Sequence, residues 1–366
     1  MTTVSDNKFC RERNNAVNTV FIFSLVLATM LYGKMRELDP KLAIRPVAIR
    51  NIAYGAGGTV FAVPNFVSAG SVALFQVTQQ STIATVPSRL SEKNFSRSSG
   101  LFYLRKKNEN DPYMAFISLP ELLSGYSADF SVSGNLLAIA GGSQVTIYDG
   151  TAKWEKTKTL TVGDAVSRAV FSPDAKHLGV IADGRLFMFT TDNYAVAYTV
   201  EPAAGCTFCD LTFSSDNSRV AVYEFRTVML DSGARIRVFS SDNGTHDRDL
   251  PGFPTRPSAE PVLNLPLLSY SAGDSLIAAT VPAAFSGKVY LVKSNDGTVF
   301  REYKGYCHAF SPDGTMFVAE GAVFSTRDWT VIGKIPRSTT CCVFSPTERV
   351  IVCATQDAIR RFRIEE

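Results

Sequence analysis

An aromatic residue followed by a polar turn returns along this chain at intervals that suit a series of similar small sheets. Tyr54, Phe95, Phe130, Phe171, Phe213, Tyr270, Phe310 and Phe344 stand 41, 35, 41, 42, 57, 40 and 34 residues apart. Ser follows most of them, as in Phe130-Ser131-Val132-Ser133-Gly134, Phe171-Ser172-Pro173-Asp174, Phe213-Ser214-Ser215-Asp216, Phe310-Ser311-Pro312-Asp313-Gly314 and Phe344-Ser345-Pro346. An apolar run comes next, among them Leu136 to Ala140, Val220 to Val222, Met316 to Ala319 and Val350 to Cys353. A repeat of roughly 40 residues marks a unit that cannot bury its apolar face alone and must lie against copies of itself.

The stretch from Ser167 to Val200 shows what one copy contains. Ser167 to Phe171 reads as a strand, Ser172 to Lys176 as a turn, and His177 to Ala182 as a second strand. Asp183-Gly184 supplies the positive φ angles of a two-residue hairpin turn. Arg185 to Phe189 is then a third strand. Thr191-Asp192-Asn193 breaks it, and Tyr194 to Val200 makes a fourth, rich in the aromatic and β-branched residues that suit a pleated surface.

The pattern resembles the WD40-like β-propeller superfamily, in which Phe-Ser-Pro-Asp-Gly is a common turn between the first two strands of a blade. The resemblance covers residues 47–366 and implies an all-β, closed propeller of seven or eight four-stranded blades. Gly-His and Trp-Asp dipeptides, which define orthodox repeats, are missing; Asp328-Trp329 has the order reversed. Such rings commonly close by borrowing a strand from the opposite terminus, since an open edge invites unwanted pairing. The last unit holds three strands, at Thr340–Phe344, Val350–Thr355 and Ile359–Ile364, and Leu42 to Arg45 is the expected donor of a fourth.

Ahead of the repeats the chain divides into a tail at 1–15, an apolar segment at 16–33 and a linker with a ring-closing strand at 34–46. Ala16 to Gly33 runs without a charge, and eighteen helical residues at about 1.5 Å each span about 27 Å, enough to cross a hydrocarbon core. A transmembrane helix is therefore expected. Lys8, Arg11 and Arg13 precede it, and Lys34, Arg36, Lys41, Arg45 and Arg50 follow. That bias places the propeller on the cytosolic or mitochondrial matrix side of a single-pass membrane protein.

Function classes narrow mostly by what is missing. A net charge of +3 from 37 basic and 34 acidic residues gives no electrostatic footprint for nucleic acid. Seven cysteines, several of them in or beside expected strands, read as small buried hydrophobes of a reducing compartment. Cys206-Thr207-Phe208-Cys209 has the spacing of a zinc or redox pair, yet no second pair follows, and a strand is the simpler reading. Asn94-Phe95-Ser96 and Asn243-Gly244-Thr245 are formal glycosylation acceptors that matter only in a lumen. The histidines are His177, His246 and His308. Residues 242–249 gather acidic groups without the order of a calcium loop. Ile359-Arg360-Arg361-Phe362 compares with the Phe-Arg-Arg-Gly signature of phosphoinositide-binding propellers but lacks its Phe and Gly, so an ordinary exposed strand is expected. No catalytic, cofactor-binding or metal-binding set is assigned.

The expected function is that of a membrane-anchored, non-catalytic interaction scaffold or accessory subunit. Its partners are other proteins, met through the propeller faces and the irregular Phe225–Pro261 region, together with the membrane at 16–33. Pro251, Pro254 and Pro257 in that region favour polyproline II. An alternative is a regulatory propeller resembling the membrane-bound exchange factor that starts COPII coat assembly, although that family anchors after its propeller. A propeller enzyme is the third reading, disfavoured by the missing nucleophile and ligand sets.

Overall fold

The computed structural model describes residues 127–364 apart from 152–154, 227–232, 252, 254–266, 282–286 and 356–357. Nearer the N terminus it describes the segments 35–37, 42–43, 52–55, 60–64, 71–76, 95–98, 101–104 and 114–118. Every regular element among these residues is a β-strand. The strands form seven antiparallel sheets, five of them four-stranded. We number the sheets I to VII by their first strands: Ala53–Tyr54, Ser127–Phe130, Val166–Phe171, Cys206–Phe213, Leu268–Tyr270, Ala309–Phe310 and Thr339–Phe344.

Sheet III is the unit read from the sequence, with strands Val166–Phe171, His177–Ala182, Arg185–Thr190 and Val196–Val200 in simple succession. Asp183 and Gly184 take φ of 50° and 73°, and the hairpin they turn pairs Ala182 with Arg185. This is the left-handed pair that Asp-Gly provides most easily. The fourth strand starts at Val196 rather than Tyr194, because Tyr194 occupies a turn position with φ of 58°. Gly244, Gly297 and Trp329 hold the matching place in sheets IV, V and VI, at φ of 72°, 72° and 60°.

The recurring serine also has a local cause. Ser172 Oγ donates to Asp174 Oδ1 at 2.7 Å and accepts the His177 N–H at 2.9 Å. Ser214 repeats both bonds with Asp216 and Arg219, and Ser311 with Asp313 and Met316. Each aspartate also accepts the N–H two residues on, at Lys176, Ser218 and Thr315. Bonds from Ser214 and Ser218 hold the Asp216 carboxyl down at about 2. A buried hydroxyl with both roles filled closes the first turn of the unit, so the motif encodes folding rather than recognition.

Strand alternation then packs sheet III between two others. Leu178, Val180 and Ala182 join Ala138, Val145 and Ile147 of sheet II in one apolar core, while Ile181 joins Phe208, Leu211 and Phe213 of sheet IV in the next. Second strands are buried almost throughout, and the fourth strands of sheets II, III and V are largely exposed. Polar links stitch the first strands together. Arg168 of sheet III donates from Nη1 to Ser127 of sheet II at 3.2 Å, and its Nε stands 2.8 Å from Oδ1 of the fully buried Asp210 of sheet IV as an ion pair. Asp210 in turn accepts the N–H groups of Leu267 and Leu268 at sheet V. Asp129 of sheet II accepts the Phe171 N–H of sheet III at 2.8 Å. Between sheets V and VI, Thr280 Oγ1 and His308 Nδ1 are 2.8 Å apart.

Two sheets depart from the four-stranded plan. In sheet I the order is Ala53–Tyr54, Val60–Pro64, Ser71–Gln76, Met114–Ser118, Leu101–Leu104, Phe95–Ser98. Phe95 thus opens the outermost strand of a hairpin inserted before the fourth strand and heads no unit of its own. Ser98 pairs with Leu101 across a Ser-Gly pair, so the turn follows Phe95 by four residues instead of beginning at the next one. In sheet VII the strands Thr339–Phe344, Val350–Thr355 and Ala358–Ile364 are joined at the outer edge by Met35–Glu37 and Leu42–Ala43. The donor expected at Leu42–Arg45 therefore supplies Leu42–Ala43, with Met35–Glu37 in addition. Thr339–Phe344 also lies against Ala53–Tyr54 of sheet I.

No helix among the described residues is long and apolar enough to cross a membrane. The expected transmembrane segment, Ala16 to Gly33, lies outside the described residues.

Candidate functional site

Sheet IV invests more in polar structure than the repeat requires. Its first three strands, Cys206–Phe213, Arg219–Arg226 and Gly233–Ser240, are 8 residues each. The corresponding strands of sheet III have 6 residues each. The extra length carries Glu224 to Arg226 and Gly233 to Arg235 to one end of the sheet, where register sets Glu224 opposite Arg235 and Arg237 opposite Asp249. Strand alternation puts Arg235 and Arg237 on one face, two residues apart.

Those four side chains form one network. Glu224 is buried; its Oε2 accepts Arg235 Nε at 2.5 Å, and its Oε1 accepts Arg237 Nη1 at 3.3 Å and the Ala203 N–H at 2.8 Å. Asp249 receives Arg235 Nη1 at 3.0 Å, Arg237 Nε at 3.2 Å and His246 Nε2 at 2.7 Å. Partial burial works against the Asp249 charge, but the His246 hydrogen bond and the two arginines outweigh it and hold the carboxyl below its ordinary range. A recess of about 450 Å³ opens beside the network, lined by Ala203, Cys206, Glu224, Arg226, Gly233 and Arg235 among others. A buried carboxylate fixes Arg235 and Arg237, and the more exposed guanidinium of Arg226 stands at the rim. The arrangement is a preorganised, charge-bearing notch suited to a complementary polar chain.

A second feature spans sheets V and VI. Phe300, 41% exposed, meets Trp329 edge-on at 5.3 Å, and Arg301 lies 5.4 Å from the centre of each ring. Trp329 holds φ of 60° where sheets IV and V use glycine, a conformation that bulky residues rarely adopt. Val299 and Val331 extend the exposed apolar surface.

With this geometry in view, comparison with known proteins found no family model and no curated protein that matches the chain.

The other singled-out residues fall as follows. Cys206 and Cys209 share the first strand of sheet IV, and the register shifts between Phe208 and Asp210, at Cys209. Burial, then the Asp210 charge, pushes the Cys209 thiol up to about 12, which leaves it protonated and inert at neutral pH. Arg360 and Arg361 are not on an exposed strand: Ala358–Ile364 lies between Val350–Thr355 and the N-terminal strands, and Arg361 is buried. His177 opens the second strand of sheet III, and residues 242–249 form the last turn and outer strand of sheet IV. Asn243 is exposed in that turn, and its Oδ1 accepts the Thr245 N–H at 2.9 Å. Asn94, Pro254, Pro257 and Pro261 lie outside the described residues. So does the connection 227–232, so the Phe225–Pro261 region is seen through its flanks, which carry the sheet IV network. Among the described residues no group of three His, Cys, Asp or Glu side chains is arranged to hold a metal ion.

His308 provides a test of this interior. Burial lowers its pKa to about 4 from 6.5, so the folded chain keeps the ring neutral while the unfolded chain takes up a proton as pH falls below about 6.5. Its contribution is present above that pH and is lost on descent to about 4, by about 3 kcal/mol at most. Asp129 acts oppositely: burial, only partly offset by the Phe171 N–H and Arg168, raises it to about 6, so its term weakens as pH rises from about 4 to 6. The difference between wild type and His308→Asn isolates the imidazole. Urea unfolding at pH 7 and pH 4.5 is expected to show a smaller acid loss in the variant; equal losses would contradict the buried neutral ring.

Proposed function

We propose that the chain is a membrane-anchored, protein-binding β-propeller whose seven sheets close into a ring, and whose sheet IV notch selects the partner. Closure is supported by the pairing of the N-terminal strands with Ala358–Ile364 and by the contact of Thr339–Phe344 with Ala53–Tyr54. The anchor rests on the uncharged run from Ala16 to Gly33. The observation that carries the binding role is the Glu224–Arg235–Arg237–Asp249 network beside its recess. Core positions such as Leu178 and Val180 serve sheet packing and cannot distinguish partners, whereas this charged network stands partly on the lengthened strand ends of sheet IV, beside the recess.

The two halves of the reading separate experimentally. Val26→Arg places a cation in the apolar run at about 2.5 to 3.5 kcal/mol on insertion scales, and the variant should leave carbonate-washed membranes that retain wild type. A photo-crosslinker at Arg226, in the membrane-bound protein, should give one discrete adduct. That adduct should vanish when Arg237→Glu disrupts the network and be absent with the crosslinker at Lys158 on the outer strand of sheet II. Adducts of equal yield from both positions would place recognition elsewhere.

A further inference from the structure

We propose that Cys307 and Cys342 are a disulfide-forming pair that clasps sheet VI to sheet VII. Their sulfurs lie 2.8 Å apart, within about 0.8 Å of the bonded separation of about 2.05 Å. They come from neighbouring first strands that lie side by side: Cys307 just before Ala309–Phe310, Cys342 within Thr339–Phe344. Closing the bond therefore asks for small side-chain rotations while the backbone stays in place. Cys353 faces Cys342 across the sheet VII pairing and shares the same apolar core, but the sulfur that meets Cys342 at 2.8 Å is that of Cys307.

Among the described residues a groove gives a route to Cys307. A groove of about 720 Å³ includes Cys307 in its lining, with Tyr306, Glu320 and the cationic side chains Lys304, Lys334 and Arg337; Cys342 is not part of that lining. The three cations suit an anionic low-molecular-weight disulfide, RSSR. Cys307 thiolate attacks one sulfur of RSSR, the S–S bond breaks, and RS⁻ leaves and is protonated. Cys342 thiolate then attacks the Cys307 sulfur of the mixed disulfide and expels the second RS⁻. Two protein thiols are oxidised to one disulfide, and one RSSR is reduced to two RSH. Burial raises both thiols above the ordinary range, so the exchange should be slow at neutral pH and accelerate with alkalinity, as the thiolate fraction grows.

The bond would close a loop holding all of sheet VI's strands between residues 307 and 342. That constrains the unfolded chain and should raise the melting temperature by roughly 5 °C or more. The clasp is independent of the sheet IV reading.

The test uses the full chain and glutathione disulfide at pH 8, with iodoacetamide trapping and peptide mapping. Trypsin releases residues 305–327 and 338–349 as separate peptides. The expected product joins them with the loss of two hydrogens, and fragmentation assigns the link to Cys342 rather than Cys341. Dithiothreitol should reverse both the link and the rise in melting temperature. Cys342→Ser should halt the reaction at a stable glutathione adduct on Cys307, and Cys307→Ser should leave Cys342 free. A folded chain whose pair stays reduced while the urea-unfolded chain oxidises overturns the proposal, as does a link through Cys341 or Cys353.

Discussion

Arg168→Met is expected to destabilise the protein by about 3–5 kcal/mol, the usual cost of breaking a buried ion pair from one side. Arg168 is the counter-charge of Asp210, which is fully buried in sheet IV, and it also lies near Asp129 of sheet II. Methionine fills similar space but leaves the Asp210 carboxylate without its cation. The Asp210 carboxyl cannot simply be deleted either, because it caps the N–H groups of Leu211, Leu267 and Leu268. Asp210→Asn keeps an amide oxygen for some of those donors and removes the charge. The double variant Arg168→Met with Asp210→Asn should therefore lose less than the sum of the two singles, as shifts in the urea midpoint at constant slope. Strict additivity would mean that the two groups do not depend on one another.

Phe317→Ala should cost a similar amount, about 3–5 kcal/mol for deleting a buried aromatic ring. Phe317 is fully buried in the core between sheets V and VI, with ring centres of Phe310, Tyr303 and Trp329 at 4.7, 5.7 and 6.0 Å. Part of the effect should be local. Trp329 sits in a left-handed turn conformation, and losing its packing partner lets that turn relax. Trp329 emission should shift to longer wavelength before global unfolding, with Trp154, the other tryptophan of the chain, substituted by Phe to leave one reporter. Phe317→Leu should lose less stability and leave the emission closer to wild type. An Ala variant that unfolds in one step with unchanged native emission would argue against the coupling.

Much of the sheet architecture was legible because its cause is local. Asp183-Gly184 specifies a turn by backbone conformation alone, and Ser172, Ser214 and Ser311 close theirs with bonds inside six residues. Phe95 misled for the complementary reason: an aromatic-Ser pair without a turn immediately after it is merely strand sequence. Met35–Glu37 carries no strand signal of its own, and only Ile364, Arg363 and Phe362, more than three hundred residues away, make it one. The sheet IV network was hidden for a related reason. Arg235-Ile236-Arg237 alternates as any half-exposed strand does, and only the register with Glu224 and Asp249 turns that alternation into a site. The Arg360-Arg361 pair looked exposed because the strands that flank it come from opposite ends of the chain.

That N-terminal pairing also gives the protein a mechanical polarity. Met35 pairs with Ile364 and Leu42 with Ile359, so the two ends of the chain run side by side in opposite directions. Any tension arriving through the residues before Met35 enters sheet VII at the end where the C terminus leaves it. The first hydrogen bonds to part are then those beside Ile364, and peeling proceeds toward Leu42. A C-terminal truncation reaching Ile364 would thus weaken the grip of the opposite end of the chain.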